Sequence, residues 1–297
     1  MRPDEEKQEI RVPTARVNGI RLSYRIRGEG DPLLLIAPAA ASAMLWDRHQ
    51  VPALVRAGYQ VVTFDNRGSA PSDVPPGPYV LGDLVADTAA LIEELGIGPC
   101  RVAGVSIGSM VAQELALERP DLVTAVALLA TRGKGDAFRD ALALACADLM
   151  RSGKDLPDRF AAVATMTQLF GPATLADDRR ADDWLTTLSL FPQRSEGWAA
   201  QYEATINEDR LPGLRKLSRP ALVVAFSHDM IMPPAMGRAV ADAIPECRYE
   251  ELDGCGHFGF LERPDDVNEL LVDFFRTAPA RAVRPATRQE PPCTTNP

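Results

Sequence analysis

The chain has 297 residues, of which 46% are hydrophobic and 25% charged, the make-up of an ordinary globular protein with material for a large core. Its formal charge of −9 argues against a nucleic-acid partner, since phosphate binding needs clustered Lys and Arg to release counterions, and equally against an anionic membrane surface. The longest apolar stretches, such as Val123–Ala130, are far too short to span a bilayer.

In chain order, the amino-terminal MRPDEEKQEI is charged and lacks the apolar stretch of a secretory signal, so a cytoplasmic location is expected. Residues Ala15–Arg27 alternate around Asn18-Gly19, a tight-turn dipeptide that predicts a two-stranded hairpin. Leu33–Ala37 is a continuous apolar run bounded by prolines, the pattern of a strand covered on both faces. A helix is expected over Trp46–Ala57, a strand over Gln60–Asp65 and a helix over Leu81–Leu95. Strand Cys100–Val105, helix Ile107–Glu118 and strand Val123–Ala130 follow. Later come strand Ala221–Phe226, helix Ala235–Ile244, strand Arg248–Leu252 and helix Pro264–Phe275. Strands alternating with helices pair in parallel through right-handed crossovers, so the expected class is α/β: a mostly parallel sheet flanked by helices.

Gly133–Arg210 breaks the rhythm. It shows no buried-strand run, only helical patterns over Ala137–Arg151, Leu156–Phe170, Asp182–Leu190 and Gly197–Asn207. A helical insertion at the carboxyl end of a strand sits over the crevice where such sheets bind ligands, which predicts a lid; the plain alternative is a long crossover. The expected organisation is a core of residues 10–132 and 211–277, a helical cap of residues 133–210, and a disordered tail, residues 278–297, rich in Pro, Arg and Thr.

Gly104-Val105-Ser106-Ile107-Gly108 carries the strongest chemical signal, because it joins an expected strand to an expected helix. A serine on so sharp a turn is held out above the sheet, and the flanking glycines let neighbouring chain approach. The turn also leaves the Ile107 N–H unpaired at a helix start, where the dipole favours a developing oxyanion. The alternative role for Ser106 is a helix cap. A serine hydroxyl needs a base, and His257, in a glycine-rich loop after the last strand, is the candidate. His228 adjoins the candidate acid, and His49 falls within an early helix. The base needs a carboxylate to fix its tautomer, and Asp229, just past the Ala221–Phe226 strand, fits; its alternative role is to cap the next helix. The five cysteines (Cys100, Cys146, Cys247, Cys255, Cys293) form no C-x-x-C pair and there are only three histidines. Reduced thiols and metal-free, cofactor-free chemistry are therefore expected.

From about Val12 to Thr277 the chain resembles the α/β-hydrolase superfamily, in its serine-nucleophile branch. Besides the elbow, Phe64-Asp65-Asn66-Arg67-Gly68-Ser69-Ala70-Pro71-Ser72-Asp73 is similar to its D-x-R-G-x-G-x-S-D loop, with Ala70 where glycine is usual. Asp229 and Pro233 match its D-x-x-x-P segment, Gly256-His257 its G-H, and the order Ser, Asp, His is the one the fold uses. Within the superfamily, Gly77-Pro78-Tyr79 through Gln113 most resembles enol-lactonases, cofactor-free haloperoxidases and small esterases. The family's H-G-x-P loop reads Ala37-Pro38-Ala39-Ala40 here. The resemblance implies the Ala39 N–H as second oxyanion donor, but Pro38 has no N–H and restricts Ala37, which leaves the aim of that amide open. Some relatives place the acid after the strand ending here at Ala130, which would make it Asp136; the flexible Arg132-Gly133-Lys134-Gly135 before it favours Asp229.

The function expected from these residues is hydrolysis of a small-molecule ester, lactone or thioester through an acyl-serine intermediate. Rival readings are C–C bond hydrolysis, a lyase or cyclase reaction in the same pocket, and a non-catalytic ligand-binding relative. The intact Ser, Asp and His set speaks against the last. Substrate and oligomeric state are open.

Overall fold

The computed structural model describes residues 12–190 and 195–278. The charged amino-terminal stretch and, beyond Ala278, the expected disordered tail lie outside the described residues. Eight strands form one sheet: β1 (Thr14–Val17), β2 (Ile20–Arg27), β3 (Asp31–Ile36), β4 (Tyr59–Phe64), β5 (Cys100–Val105), β6 (Val123–Leu129), β7 (Ala221–Phe226) and β8 (Cys247–Leu252). Their order across the sheet is β1-β2-β4-β3-β5-β6-β7-β8. The first two pairings are antiparallel and all others parallel. The β1–β2 hairpin turns on Asn18 and Gly19, with φ of 48° and 80°, the paired positive values that its two-residue turn requires.

The apolar runs of the central strands are explained by cover on both faces. Successive side chains of a strand point to opposite sides. Leu34 and Ile36 of β3 join one buried layer, and Leu33 and Leu35 join the other. The first layer is completed by α2 (Leu81–Glu94), α3 (Ile107–Glu118) and α10 (Pro234–Ala243); the second by α1 (Gln50–Arg56) and α12 (Pro264–Thr277). Edge strand β8 is only half buried and carries Arg248, which pairs with Glu250 and with Asp273 of α12, a charged edge that blunts further strand pairing.

Residues 133–210 contain α4 (Ala137–Arg151), α5 (Asp158–Leu169), α6 (Pro172–Leu175), α7 (Asp178–Leu190) and α8 (Glu196–Glu203), and no strand among the described residues. Short α9 (Leu211–Leu214) leads back to β7, and α11 (Gly259–Glu262) precedes α12; with α6, these single turns are too short for a periodic pattern to reveal.

Four expectations are corrected. The helix expected over Trp46–Ala57 is a 3-10 turn at Ala43–Trp46, then a break, then α1 from Gln50. Pro52 explains the break, because inside a longer helix its ring would clash with the carbonyl four residues back, whereas in a first turn it is tolerated. His49 accordingly precedes the first helical residue instead of lying within a helix. In the insertion, α7 begins a turn earlier than expected, at Asp178, because the Asp177 carboxylate accepts the Arg179 and Arg180 amides at 3.1 Å each. The helix expected to reach Asn207 stops at Glu203.

Candidate active site

The turn from β5 into α3 holds Ser106 at φ 58°, ψ −122°, a conformation that costs a non-glycine residue on the order of 1–3 kcal/mol. The surroundings over-determine it. The Ser106 amide donates to the Leu129 carbonyl at 3.1 Å. The Ser109 hydroxyl is shared between the Ser106 carbonyl, 2.6 Å, and Thr131 Oγ1, 2.8 Å, while Gln113 Nε2 donates to Thr131 at 2.6 Å. The glycines are obligatory: a Cβ on Gly104 would fall onto the Gly108 carbonyl, and one on Gly108 onto the Ile36 carbonyl at the end of β3. The start of α3 is thereby pressed against the loop after β3. Ile107 is the first residue of α3, so its amide has no acceptor within the helix.

His257 lies in the loop after β8, at the carboxyl edge of the sheet, where the β5 turn also ends. Its Nδ1 is 2.7 Å from Asp229 Oδ2, and each residue is only 3% exposed. An ionised carboxylate only accepts, so Nδ1 carries the proton and Nε2 is left as the basic nitrogen. The other Asp229 oxygen accepts the Ile231 and Met232 amides, both at 2.8 Å. One oxygen therefore closes a local turn and the other faces the histidine; α10 begins at Pro234 with no side-chain cap, so the alternative role of Asp229 as cap of that helix is not what the structure shows.

Of the expected residues, the structure brings Asp229 and His257 together and delivers Ser106, 7% exposed, to the same edge. Among the described residues no hydrogen bond joins the Ser106 hydroxyl to His257. Asp136 is elsewhere: its carboxylate caps α4 through the Arg139 amide at 2.9 Å and pairs with the Arg139 guanidinium at 3.0 Å. Those contacts, the Arg139 amide bond first, hold its carboxyl below the usual range. His228 bonds the Ser227 hydroxyl, 2.9 Å, and is not paired with Asp229. Ala39 is half buried in the loop after β3, and among the described residues its amide has no acceptor. The D-x-R-G loop is held by burial of Arg67 against Asp87, at 2.6 and 2.8 Å.

Two residues unremarkable in the sequence hold the edge together. Glu262, buried, accepts the Gly256 amide at 2.6 Å beside His257 and the Gly171 amide at 2.9 Å, tying the histidine loop to the start of α6. Gln201 of α8 accepts the Ala40 amide at 2.8 Å and donates to the Arg67 carbonyl at 2.6 Å. The insertion also meets the histidine loop where Phe258 donates its amide to Leu169 at 2.8 Å and lays its ring edge-on to Phe170. Beside Asp229 an open cleft of about 810 Å³ runs between Arg139, Phe170 and Leu175 of the insertion and Met230 and Pro233 of the loop after β7. Ser106 and His257 do not line it. Among the described residues no cluster of three or more His, Cys, Asp or Glu side chains is disposed to hold a metal, and no helix is long and apolar enough to cross a membrane.

The chain and its fold have counterparts. The Mycobacterium tuberculosis protein BpoC, named as a non-heme bromoperoxidase, is 42% identical over 262 residues, 88% of this chain and all of that one. Its crystal structure superposes with a TM-score of 0.83 over 86% of this chain and 95% of that one. The enol-lactonase structure from Burkholderia xenovorans LB400 superposes with a TM-score of 0.78 at 29% identity, over 89% of this chain and all of that one. A family model described as the alpha/beta hydrolase fold matches residues 31–264, from the first residue of β3 to the start of α12, so that Ser106, Asp229 and His257 all fall inside it. With sheet order, elbow and sequence likeness in accord, the chain belongs to the α/β hydrolase fold family and is a hydrolase enzyme.

Proposed function

We propose that this enzyme hydrolyses small-molecule esters, lactones or thioesters through an acyl-Ser106 intermediate, with His257 as base and Asp229 as the acid that orients it. The observation that carries the reading is the buried 2.7 Å contact between His257 and Asp229 at the edge where the elbow presents Ser106. As Ser106 Oγ adds to the substrate carbonyl, His257 Nε2 takes its proton and Asp229 stabilises the imidazolium. The Ile107 and Ala39 amides would receive the oxyanion. Collapse expels the alcohol, enol or thiol, which takes the proton back. Water, deprotonated by His257, then attacks the acyl carbon and releases the acid and free serine. The enol-lactonase name of the Burkholderia relative falls within this scheme, since a lactone is a cyclic ester. Residues 133–210 serve as a lid in this reading, a role supported by their bonds to the loops bearing Ala40 and His257. No cofactor takes part in the scheme.

The name of BpoC supports a second reading, halide peroxidation, which would use hydrogen peroxide and bromide at the same centre. The test is labelling with a fluorophosphonate probe and mass spectrometry, run beside turnover of 4-nitrophenyl esters. The expected result is an adduct on the Ser106 peptide and a loss of several orders of magnitude in kcat for Ser106→Ala. A Ser106→Ala enzyme that retains more than about a tenth of wild-type ester turnover would remove Ser106 as nucleophile.

A further inference from the structure

We propose that Gln201, on helix α8 of the insertion, is a positioning residue that sets the oxyanion loop through the Ala40 amide; the proposal rests on the reading of Ser106 as acyl nucleophile. Gln201 has no exposed surface. Its Oε1 accepts the Ala40 N–H at 2.8 Å, and its Nε2 donates to the Arg67 carbonyl at 2.6 Å and to Ser69 Oγ at 3.0 Å. A single primary amide thus bridges the loop after β3 to the loop after β4, using its acceptor on one and both donors on the other. Neither a carboxylate nor an apolar side chain can serve both.

The loop needs such a support. Ala40 sits at φ 53°, a left-handed conformation that an alanine adopts only when something holds it there. At its other end the Ala37 carbonyl accepts Asn66 Nδ2 at 3.1 Å. Between these two fixed points stand Pro38 and Ala39. The Pro38 ring fixes its own φ, and the peptide groups are planar, so Pro38 ψ and the torsions of Ala39 are the main freedoms left. Pinning the Ala40 amide, with the Ala37 carbonyl held at the other end, restricts them together and so aims the Ala39 N–H.

Helix α8 is itself firmly seated. A Cβ on Gly68 would lie 2.8 Å from the Gly197 carbonyl oxygen, and Trp198 Nε1 donates to Ser69 Oγ at 3.1 Å. Backbone packed on backbone cannot shift without losing that contact. The insertion therefore takes part in stabilising the transition state as well as covering the site.

The test compares kcat and KM for 4-nitrophenyl esters in wild type, Ser106→Ala, Gln201→Met, Gln201→Glu and Trp198→Phe. Gln201→Met keeps the length and loses all three bonds; a mis-aimed oxyanion donor should lower kcat by about 10–100-fold and leave KM within about threefold. Trp198→Phe removes the indole bond to Ser69 but leaves Gly197 packed on Gly68 and all three Gln201 bonds in place, so its kcat should stay within about threefold of wild type. Gln201→Glu covers the case in which Gln201→Met does not fold. When protonated it again offers an acceptor and a donor, so its kcat relative to wild type at the same pH should rise as pH falls. A Gln201→Met enzyme within threefold of wild-type kcat, an equal loss in Trp198→Phe, or a pH-independent ratio for Gln201→Glu overturns the proposal while a dead Ser106→Ala leaves the nucleophile reading standing. A Ser106→Ala enzyme with more than about a tenth of wild-type turnover overturns that reading, and the proposal with it.

Discussion

Replacing Asp229 with Asn tests the acid at the level of single hydrogen atoms. The side chain is buried, so the amide must choose between two orientations. With its oxygen on the Ile231 and Met232 amides, as the carboxylate has it now, its NH₂ faces His257 Nδ1. That nitrogen must then accept, which moves the ring proton to Nε2 and removes the base. In the flipped orientation the NH₂ confronts two buried backbone donors. Two lost hydrogen bonds with unsatisfied donors cost about 1–3 kcal/mol each, roughly 2–6 kcal/mol in all. The first orientation should therefore dominate by a factor of about 30 or more, since 1.4 kcal/mol is about tenfold. Asp229→Asn should keep a near-wild-type melting temperature and cut ester kcat by about two to four orders of magnitude. Asp136→Asn, whose carboxylate caps α4 and meets Arg139, should leave kcat within about twofold and cost up to about 1 kcal/mol of stability. Steady-state kinetics with one ester, beside thermal denaturation of each variant, decide the matter. An active Asp229→Asn, or an inactive Asp136→Asn, would refute the assignment.

If both residues serve one proton transfer, as proposed, His257→Ala should be about as damaging as Ser106→Ala, and the double variant little worse than either. His228→Ala, which loses only a bond to Ser227, should retain activity in the same kinetic assay; the reverse pattern would move the base to His228. Gly108→Ala drives a Cβ into the Ile36 carbonyl and should cost about 1–3 kcal/mol, read as a fall of several degrees in melting temperature. An unchanged melting temperature would show that the elbow has slack. Asp87→Ala leaves the Arg67 guanidinium buried without its close partner and should cost about 3–5 kcal/mol by urea denaturation. A loss below about 1 kcal/mol would contradict the view that the D-x-R-G loop is held by that pair.

What could be read from the sequence was whatever is decided within a few residues of itself. The parallel strands announced themselves because cover on both faces makes β3, β5 and β7 apolar or small except at Asp31 and Arg101, which pair with each other, a local pattern bounded by turn residues. The Asn18-Gly19 hairpin and the elbow were legible for the same reason: positive φ and close backbone approach demand particular residues at particular places. Pro52 carries the signal that breaks the early helix, and it outweighs the apolar periodicity over Trp46–Ala57. The choice of Asp229 over Asp136 leaned on its short, rigid tether, but only the fold could put its second oxygen against His257, 28 residues on. Gln201 and Glu262 gave no sign. Each is an ordinary polar residue in a helix, and its role comes from partners 161 and 91 residues away, Ala40 and Gly171. Such bonds depend on how the insertion docks against the sheet edge. Docking is fixed by the shapes of many surfaces at once, among them the close approach of Gly68 to Gly197, and no local period encodes it.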